Sequence, residues 1–236
     1  MTEAQSGVVD KRGFLFGRIP GRATYGPKER PKIFIRTTSQ QAATMAIAAN
    51  MAADSVEFGD IFSTSADVIV SPANSVGHMN GGVDLRIRDK FGKSRLEERV
   101  RETIVERFEG ALPIGRTFTI RTHSPGVPLL AGDPEWLIVS PTMTQPRQMN
   151  AKQLRDAAYV ATLAALVTAR DIGASGVTLT TMGAGVGAGS HTERGARISG
   201  IEAAIAGLAR GLSDFQDVAD GLVSREQALA DYRNER

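Results

Sequence analysis

Asp84 stands two residues after the pair Gly81-Gly82 and ten residues after Asn74, at the expected start of a helix. A carboxylate so placed can take a proton from an attacking water, or steady positive charge that develops on a sugar carbon. Its plainer role is to satisfy the orphan N–H groups of the first helical turn. Asn74 both donates and accepts, which suits sugar hydroxyls, and it is equally an Asx-turn residue after a strand. His78, in the same loop, can serve as an acid or a donor, or simply stand in solvent. Gly81 and Gly82 let the backbone approach a ligand without side-chain hindrance.

Further along, Gly183-Ala184-Gly185-Val186-Gly187-Ala188-Gly189 places a glycine at every second position. The N–H groups of such a loop, ahead of a helix, can form a nest for a diphosphate. A loose loop is the plainer account, but four glycines without a polar side chain are costly to order, which favours the phosphate.

These residues need a scaffold, and the hydrophobic pattern supplies one. Strands are expected at Ile33–Arg36, Ser55–Phe58, Asp67–Val70, Thr117–Thr122, Trp136–Val139 and Val177–Thr181. Helices are expected at Gln40–Met51, with Thr38 or Ser39 as N-cap, and at Val83–Phe91, Leu96–Phe108, Ala151–Arg170, Thr192–Leu212 and Arg225–Arg233. The helix over 96–108 shows Leu96, Val100, Ile104, Val105 and Phe108 on one face. Alternating strands and helices predict an α/β layered domain with a largely parallel sheet, whose ligands bind at the carboxyl ends of the strands. Both glycine-rich loops follow such ends.

Composition narrows the chemistry. The chain has 236 residues, 42% apolar and 23% charged, which suits a soluble globular protein with a core of its own. It has no cysteine, which excludes disulfides, thiolate metal sites and cysteine nucleophiles. No run approaches the ~18 apolar residues of a membrane helix, and no signal-peptide pattern opens the chain, so a cytoplasmic protein is expected. His78, His123 and His191 are too scattered for a metal site. Gly92-Lys93-Ser94 lacks the first glycine of a P-loop, since Ile87 stands there. The 183–189 loop does not fit the dinucleotide fingerprint, and no nucleophile elbow is present.

Three segments remain: Gly59-Asp60-Ile61; Ser71-Pro72-Ala73-Asn74-Ser75-Val76-Gly77-His78-Met79-Asn80-Gly81-Gly82-Val83-Asp84; and Gly183–Gly189. Their order and spacing resemble a macro domain, the ADP-ribose-binding module, over about residues 54–212. The wording Ser-Pro-Ala-Asn-Ser, with Leu137–Met143 downstream, is most similar to a divergent macro-like branch. The resemblance implies a three-layer α/β/α fold with a central mixed, largely parallel sheet. It also implies ADP-ribose or an ADP-ribosylated substrate as partner, with no cofactor and no metal.

By the same resemblance, Asp60 and the Ile61 backbone meet adenine, although Asp60 alone would more readily be read as capping a turn. Ala73, Asn74, Gly81, Gly82 and Val83 line the distal ribose. Gly183, Ala184, Gly185, Val186 and Gly187 hold the diphosphate. Asp84, with Asn74 and His78, is the catalytic set. The sequence departs from the family at Ser71, where the first Asn of Asn-Ala-Ala-Asn belongs, at Pro72, and at Val186-Gly187, where many members carry an aromatic. Phe215 is a candidate aromatic over the adenine.

The expected activity is hydrolysis of an ADP-ribosyl linkage at the distal ribose. Candidate substrates are an ADP-ribosyl ester, ADP-ribosylated nucleic acid, O-acetyl-ADP-ribose or ADP-ribose 1″-phosphate. A non-catalytic ADP-ribose reader and a scaffold without nucleotide binding are the alternatives. Outside the domain at 33–212, residues 1–32 carry a net charge of +4 and read as a loosely docked basic arm, with weak nucleic-acid contact as the sharper option. Phe14 and Phe16 in that arm could form a short edge strand. Residues 213–236 read as a polar, helical tail.

Overall fold

The computed structural model describes residues 8–11, 13–17, 19, 29–92, 94–124, 126–188 and 194–234. Its centre is a six-stranded sheet built from β3 (Lys32–Thr37), β4 (Ser55–Phe58), β5 (Val68–Ser71), β6 (Phe118–Arg121), β7 (Trp136–Val139) and β8 (Gly176–Leu179). The spatial order is β4-β3-β8-β5-β7-β6. Every neighbouring pair is parallel except β6 with β7. Strands β5, β7 and β8 are buried along their whole length. The near-continuous apolar runs of β5 and β7 are what a parallel strand covered on both faces requires, and β8 adds Val177 and Leu179.

Period-2 alternation divides the core into two layers. Ile33, Ile35, Val68, Val70, Trp136, Ile138, Val177 and Leu179 pack with α1 (Gln40–Ala48), α4 (Ala151–Ile172) and α5 (Arg194–Ala219). Ile69, Leu137, Val139, Phe118 and Ile120 pack with α2 (Gly82–Lys90) and α3 (Ser94–Phe108) on the other face. The three-layer α/β/α architecture expected from the sequence is therefore present. Ser71 follows Val70 in the alternation, so its side chain belongs to the α2/α3 face.

Local chemistry sets the helix ends. The Ser39 side chain accepts from the Ala42 N–H and starts α1. Asn150 and Gln153 form a capping box at the start of α4, and Gly173, at φ 78°, closes that helix in the left-handed region. Helix α5 seats on α4 through Gly207 and Gly211. A side chain at Gly207 would collide with the Arg155 carbonyl.

Three expectations are corrected. Val105 is 63% exposed. It lies one residue past the stripe Leu96–Val100–Ile104, and Thr103 is buried there instead. Helix α5 runs beyond residue 212, and Phe215 is fully buried in the main core, so it is no aromatic over a ligand. The helix expected in the tail is present as α6 (Arg225–Asn234) and is anchored on α4. The Tyr159 hydroxyl lies 2.7 Å from Asp214 Oδ2 and 3.1 Å from the Ala228 carbonyl, and Tyr159 stacks on Tyr232.

Third, part of the N-terminal arm is integrated. β1 (Val8–Val9) pairs with β2 (Leu15–Phe16), the short strand expected there. Phe14 bridges to Ile120 and covers the β6 edge, while Leu15 and Ile19 enter the main core. Residues 1–7, 12, 18 and 20–28, with most of the basic charge, lie outside the described residues.

Candidate functional site

The parallel strands finish on one edge of the sheet, and the expected site residues leave from three of these ends. Beyond β5 the chain is laced to the segment after β7. The Ser140 N–H donates to the Ser71 carbonyl and the Thr142 N–H to the Ala73 carbonyl, both at 3.0 Å. The Ser75 N–H donates to the Met143 carbonyl at 2.9 Å.

The loop then turns on Asn74. Its Oδ1 accepts from the N–H groups of Val76 and His78, each at 3.2 Å, and its Nδ2 donates to the His78 carbonyl at 2.8 Å. Both ends of the amide serve the loop, which is the turn role weighed above. Gly77 completes the bend at φ 76°, where a side chain would meet Ile104 Cδ1 at 2.8 Å.

Helix α2 opens from Gly81 without a side-chain cap. A Cβ on Gly81 or Gly82 would meet nothing within 4 Å, so the entrance to the helix is open space. Val83 is partly buried beside Ile61 and Ala73 in the α2/α3 core. Asp84, the third residue of α2, is only 9% exposed. The Ser71 hydroxyl donates to Asp84 Oδ1 at 2.6 Å. Asp84 Oδ2 has no hydrogen-bond partner among the described residues. Burial pushes the Asp84 carboxyl up to about 7; the Glu97 charge adds to this, and the Ser71 hydrogen bond opposes it. Near neutrality such a group can either accept or donate a proton at Oδ2.

Glu97, on α3, ties this corner together. Its Oε1 accepts from the Met79 N–H at 3.3 Å and lies 3.6 Å from His78 Nδ1, while its Oε2 accepts from Arg88 at 3.3 Å. His78 thus faces α3, beside an open groove of about 1200 Å³ lined also by Arg101, Glu102 and Val105.

Asp60 follows β4. Its Oδ1 accepts from the Phe62 N–H at 3.1 Å, and its backbone carbonyl accepts from the Ser63 hydroxyl at 2.6 Å. Oδ2 pairs with Arg86 of α2 at 3.0 Å, and the carboxylate stays 48% exposed. Phe62 meets Phe91 edge-on at 5.6 Å and lies under Lys90 at 5.2 Å, which draws this loop against α2. Ile61 is buried.

The third loop follows β8. Gly183 turns at φ 80°, and the Ala184 N–H donates to the Thr181 carbonyl at 3.1 Å. A short 3-10 turn, Val186–Ala188, comes next, with Val186 exposed and Ala184 buried. Gly187 is wedged against Leu154, Met143 and Met149, and its carbonyl accepts from the Met149 N–H at 3.0 Å. Gly185 faces open space. Gly189 lies outside the described residues.

Three residues were not foreseen in the site. In the sequence Ser71 is only a departure from a motif, and nothing about Glu97 or Arg86 marks them out within their expected helices. Their link to Asp84 and Asp60 arises from how α2 and α3 cross the strand ends. Among the described residues no group of three His, Asp or Glu could hold a metal ion, and no helix is long and apolar enough to cross a membrane.

The Macro domain family model matches residues 70–198, from the end of β5 into α5. Among solved structures, the chain is similar to the macrodomain of Mycobacterium tuberculosis DarG at 20% identity, over 69% of this chain and 89% of that one, with a TM-score of 0.47. It is also similar to an Oceanobacillus iheyensis macrodomain mutant solved with ADPR, at 16% identity, over 61% and 88%, with a TM-score of 0.34. No curated protein matches. The family match spans the Asn74 loop, Asp84 and the second glycine-rich loop and covers more than half of the sequence, so the chain belongs to the Macro domain family.

Proposed function

We propose that the cleft at the ends of β4, β5 and β8 binds ADP-ribose or a derivative, and that the protein hydrolyses an ADP-ribosyl linkage at the distal ribose. The single observation that carries this reading is Asp84. It is a buried carboxyl raised to about 7, held through Oδ1 and unpartnered at Oδ2, beside the open backbone of Gly81 and Gly82. A carboxylate that only closed a helix end would gain nothing from burial, which disfavours its charged form.

In this reading adenine meets Asp60 and the Ile61 backbone. The diphosphate lies along Gly183, Ala184, Gly185, Val186 and Gly187. The distal ribose rests on Ala73, Asn74, Gly81, Gly82 and Val83, with His78 at its rim. For a linkage through the anomeric carbon, Asp84 takes a proton from water as the water oxygen bonds to that carbon. The carbon–oxygen bond to the acceptor breaks, and its electron pair leaves with the acceptor. ADP-ribosyl esters, ADP-ribosylated nucleic acid and ADP-ribose 1″-phosphate present that carbon, and O-acetyl-ADP-ribose presents an ester beside it.

A second reading, a binding module without turnover, is favoured by Asn74. With Oδ1 and Nδ2 both bonded to the loop, its amide contributes to the shape of the pocket more than to orienting a substrate. Turnover assays on the four substrate classes, with Asp84→Ala as control, separate the two. Hydrolysis lost in Asp84→Ala with ADP-ribose still bound supports the enzyme. Equal rates in both proteins remove Asp84 from catalysis. Binding without turnover by the wild type supports the reader.

A further inference from the structure

We propose that Ser71 is the positioning residue for Asp84: its hydroxyl fixes Oδ1 so that Oδ2 alone faces the reacting water. The inference rests on the hydrolytic reading above and adds to it a residue that lies outside the pocket lining.

Ser71 is the last residue of β5, is fully buried, and its backbone carbonyl is held by the Ser140 N–H at 3.0 Å. It stands on a central strand flanked by β7 and β8, so its donor is as fixed as the sheet. Asp84 is carried by α2, thirteen residues later, with no side-chain cap or second hydrogen bond to orient its carboxylate. A serine hydroxyl has one proton to give. At 2.6 Å that proton is committed to Oδ1, and a short O–H···O⁻ bond to a charged acceptor is among the stronger hydrogen bonds. Oδ2 is then the only oxygen free to gain or lose a proton. An alanine at 71 would let the carboxyl rotate and would remove the one neighbour that favours its ionised form.

The charged groups around Asp84 are few. Glu97 approaches from α3 and opposes ionisation. His78 and Arg88 act on it through Glu97. Arg86 and Asp60 neutralise each other at the rim. None of them donates to Asp84, so Ser71 is its sole stabilising partner among the described residues.

The test is the titration of Asp84, read by carbon NMR of aspartate carboxyls and assigned by its absence in Asp84→Asn. It is measured in wild type, Ser71→Ala and Ser71→Thr. Loss of a charge-assisted hydrogen bond should move the Asp84 midpoint upward, on the order of one pH unit, in Ser71→Ala. Ser71→Thr, which keeps the hydroxyl, should restore it. In turnover, Ser71→Ala should lower kcat about fivefold at pH 7 with KM unchanged and recover towards pH 9, because a one-unit shift leaves roughly a tenth of Asp84 ionised instead of half.

An unmoved midpoint, or a kcat unchanged at every pH in Ser71→Ala, overturns the assignment. Should no substrate turn over while the midpoint still rises in Ser71→Ala, the hydrolytic reading fails and the placement of Ser71 stands. Should Ser71→Ala fold poorly, the same comparison in Ser71→Cys, a weak donor, must give an intermediate midpoint; one equal to wild type contradicts the proposal.

Discussion

The amide of Asn74 clamps His78 from both sides, accepting its N–H at 3.2 Å and donating to its carbonyl at 2.8 Å. The loop between β5 and α2 therefore has its shape before any ligand arrives, and Gly81 and Gly82 emerge from it already open. Asn74→Ala removes both bonds and the one from the Val76 N–H, leaving the His78 carbonyl without its donor. The expected cost is about 1–3 kcal/mol, seen as a lower Tm, together with weaker ADP-ribose binding. Unchanged stability with lost binding would instead assign Asn74 to the ligand.

Asp84 should make the fold less stable as pH rises. Its folded carboxyl titrates near 7, above the unfolded value of about 3.9, so the folded state holds the proton more tightly. Below pH ~4 both states are protonated and nothing is lost. Between there and 7 the unfolded state ionises first and stability declines, by up to about 4 kcal/mol above 7. Asp84→Asn keeps an acceptor for Ser71 and carries no charge. It should be more stable than wild type at pH 8 and equal to it at pH 3.5 by denaturant unfolding. Equal stability at pH 8 would place Asp84 in a well-solvated site.

Glu97 adds its charge to the field at Asp84. In Glu97→Gln the acceptor for the Met79 N–H remains and the charge goes. The Asp84 midpoint should fall, and the acid limb of the pH–rate profile should move to lower pH. A profile that does not move would mean that Glu97 acts only by holding the loop.

The Tyr159 hydroxyl sits between Asp214 and the Ala228 carbonyl, with Arg210 on the other oxygen of Asp214 at 2.7 Å. Burial and the Asp214 charge raise the Tyr159 hydroxyl well above its ordinary value, so it stays a donor at every working pH. Tyr159→Phe strips a buried carboxylate of one donor. It should cost about 1–3 kcal/mol and loosen α6 to proteolysis, with ADP-ribose affinity unchanged. A matched loss of affinity would show that α6 supports the cleft.

Much of this was legible along the chain. Trp136–Val139 and Ser55–Phe58 declare themselves as strands by composition and length, and the helix expected from Ala151 starts there, although its capping box of Asn150 and Gln153 was not foreseen. Local rules govern both. The glycines at 81, 82 and 185 stand where a side chain would meet open space, which agrees with the open backbone expected there.

What stayed hidden depends on tertiary placement. Ser71 and Asp84 meet only because α2 folds back across the end of β5. Arg86 reaches Asp60 only because Phe62 and Phe91 pull the loop after β4 towards α2. Phe215 looked available near the end of an expected helix, and α5 simply continues through it into the core.

The proposed binding of ADP-ribose at the ends of β4, β5 and β8 is open to direct measurement. Calorimetric titration of the full chain with ADP-ribose, against AMP and NAD, tests it directly, with Gly185→Glu as the blocked pocket. Gly185 has open space where its side chain would be, so the variant should fold with stability within about 0.5 kcal/mol of wild type. Saturable ADP-ribose binding is expected of the wild type, weaker or absent with AMP and NAD, and lost in Gly185→Glu. No heat with the wild type, or equal binding by the folded Gly185→Glu protein, would contradict it.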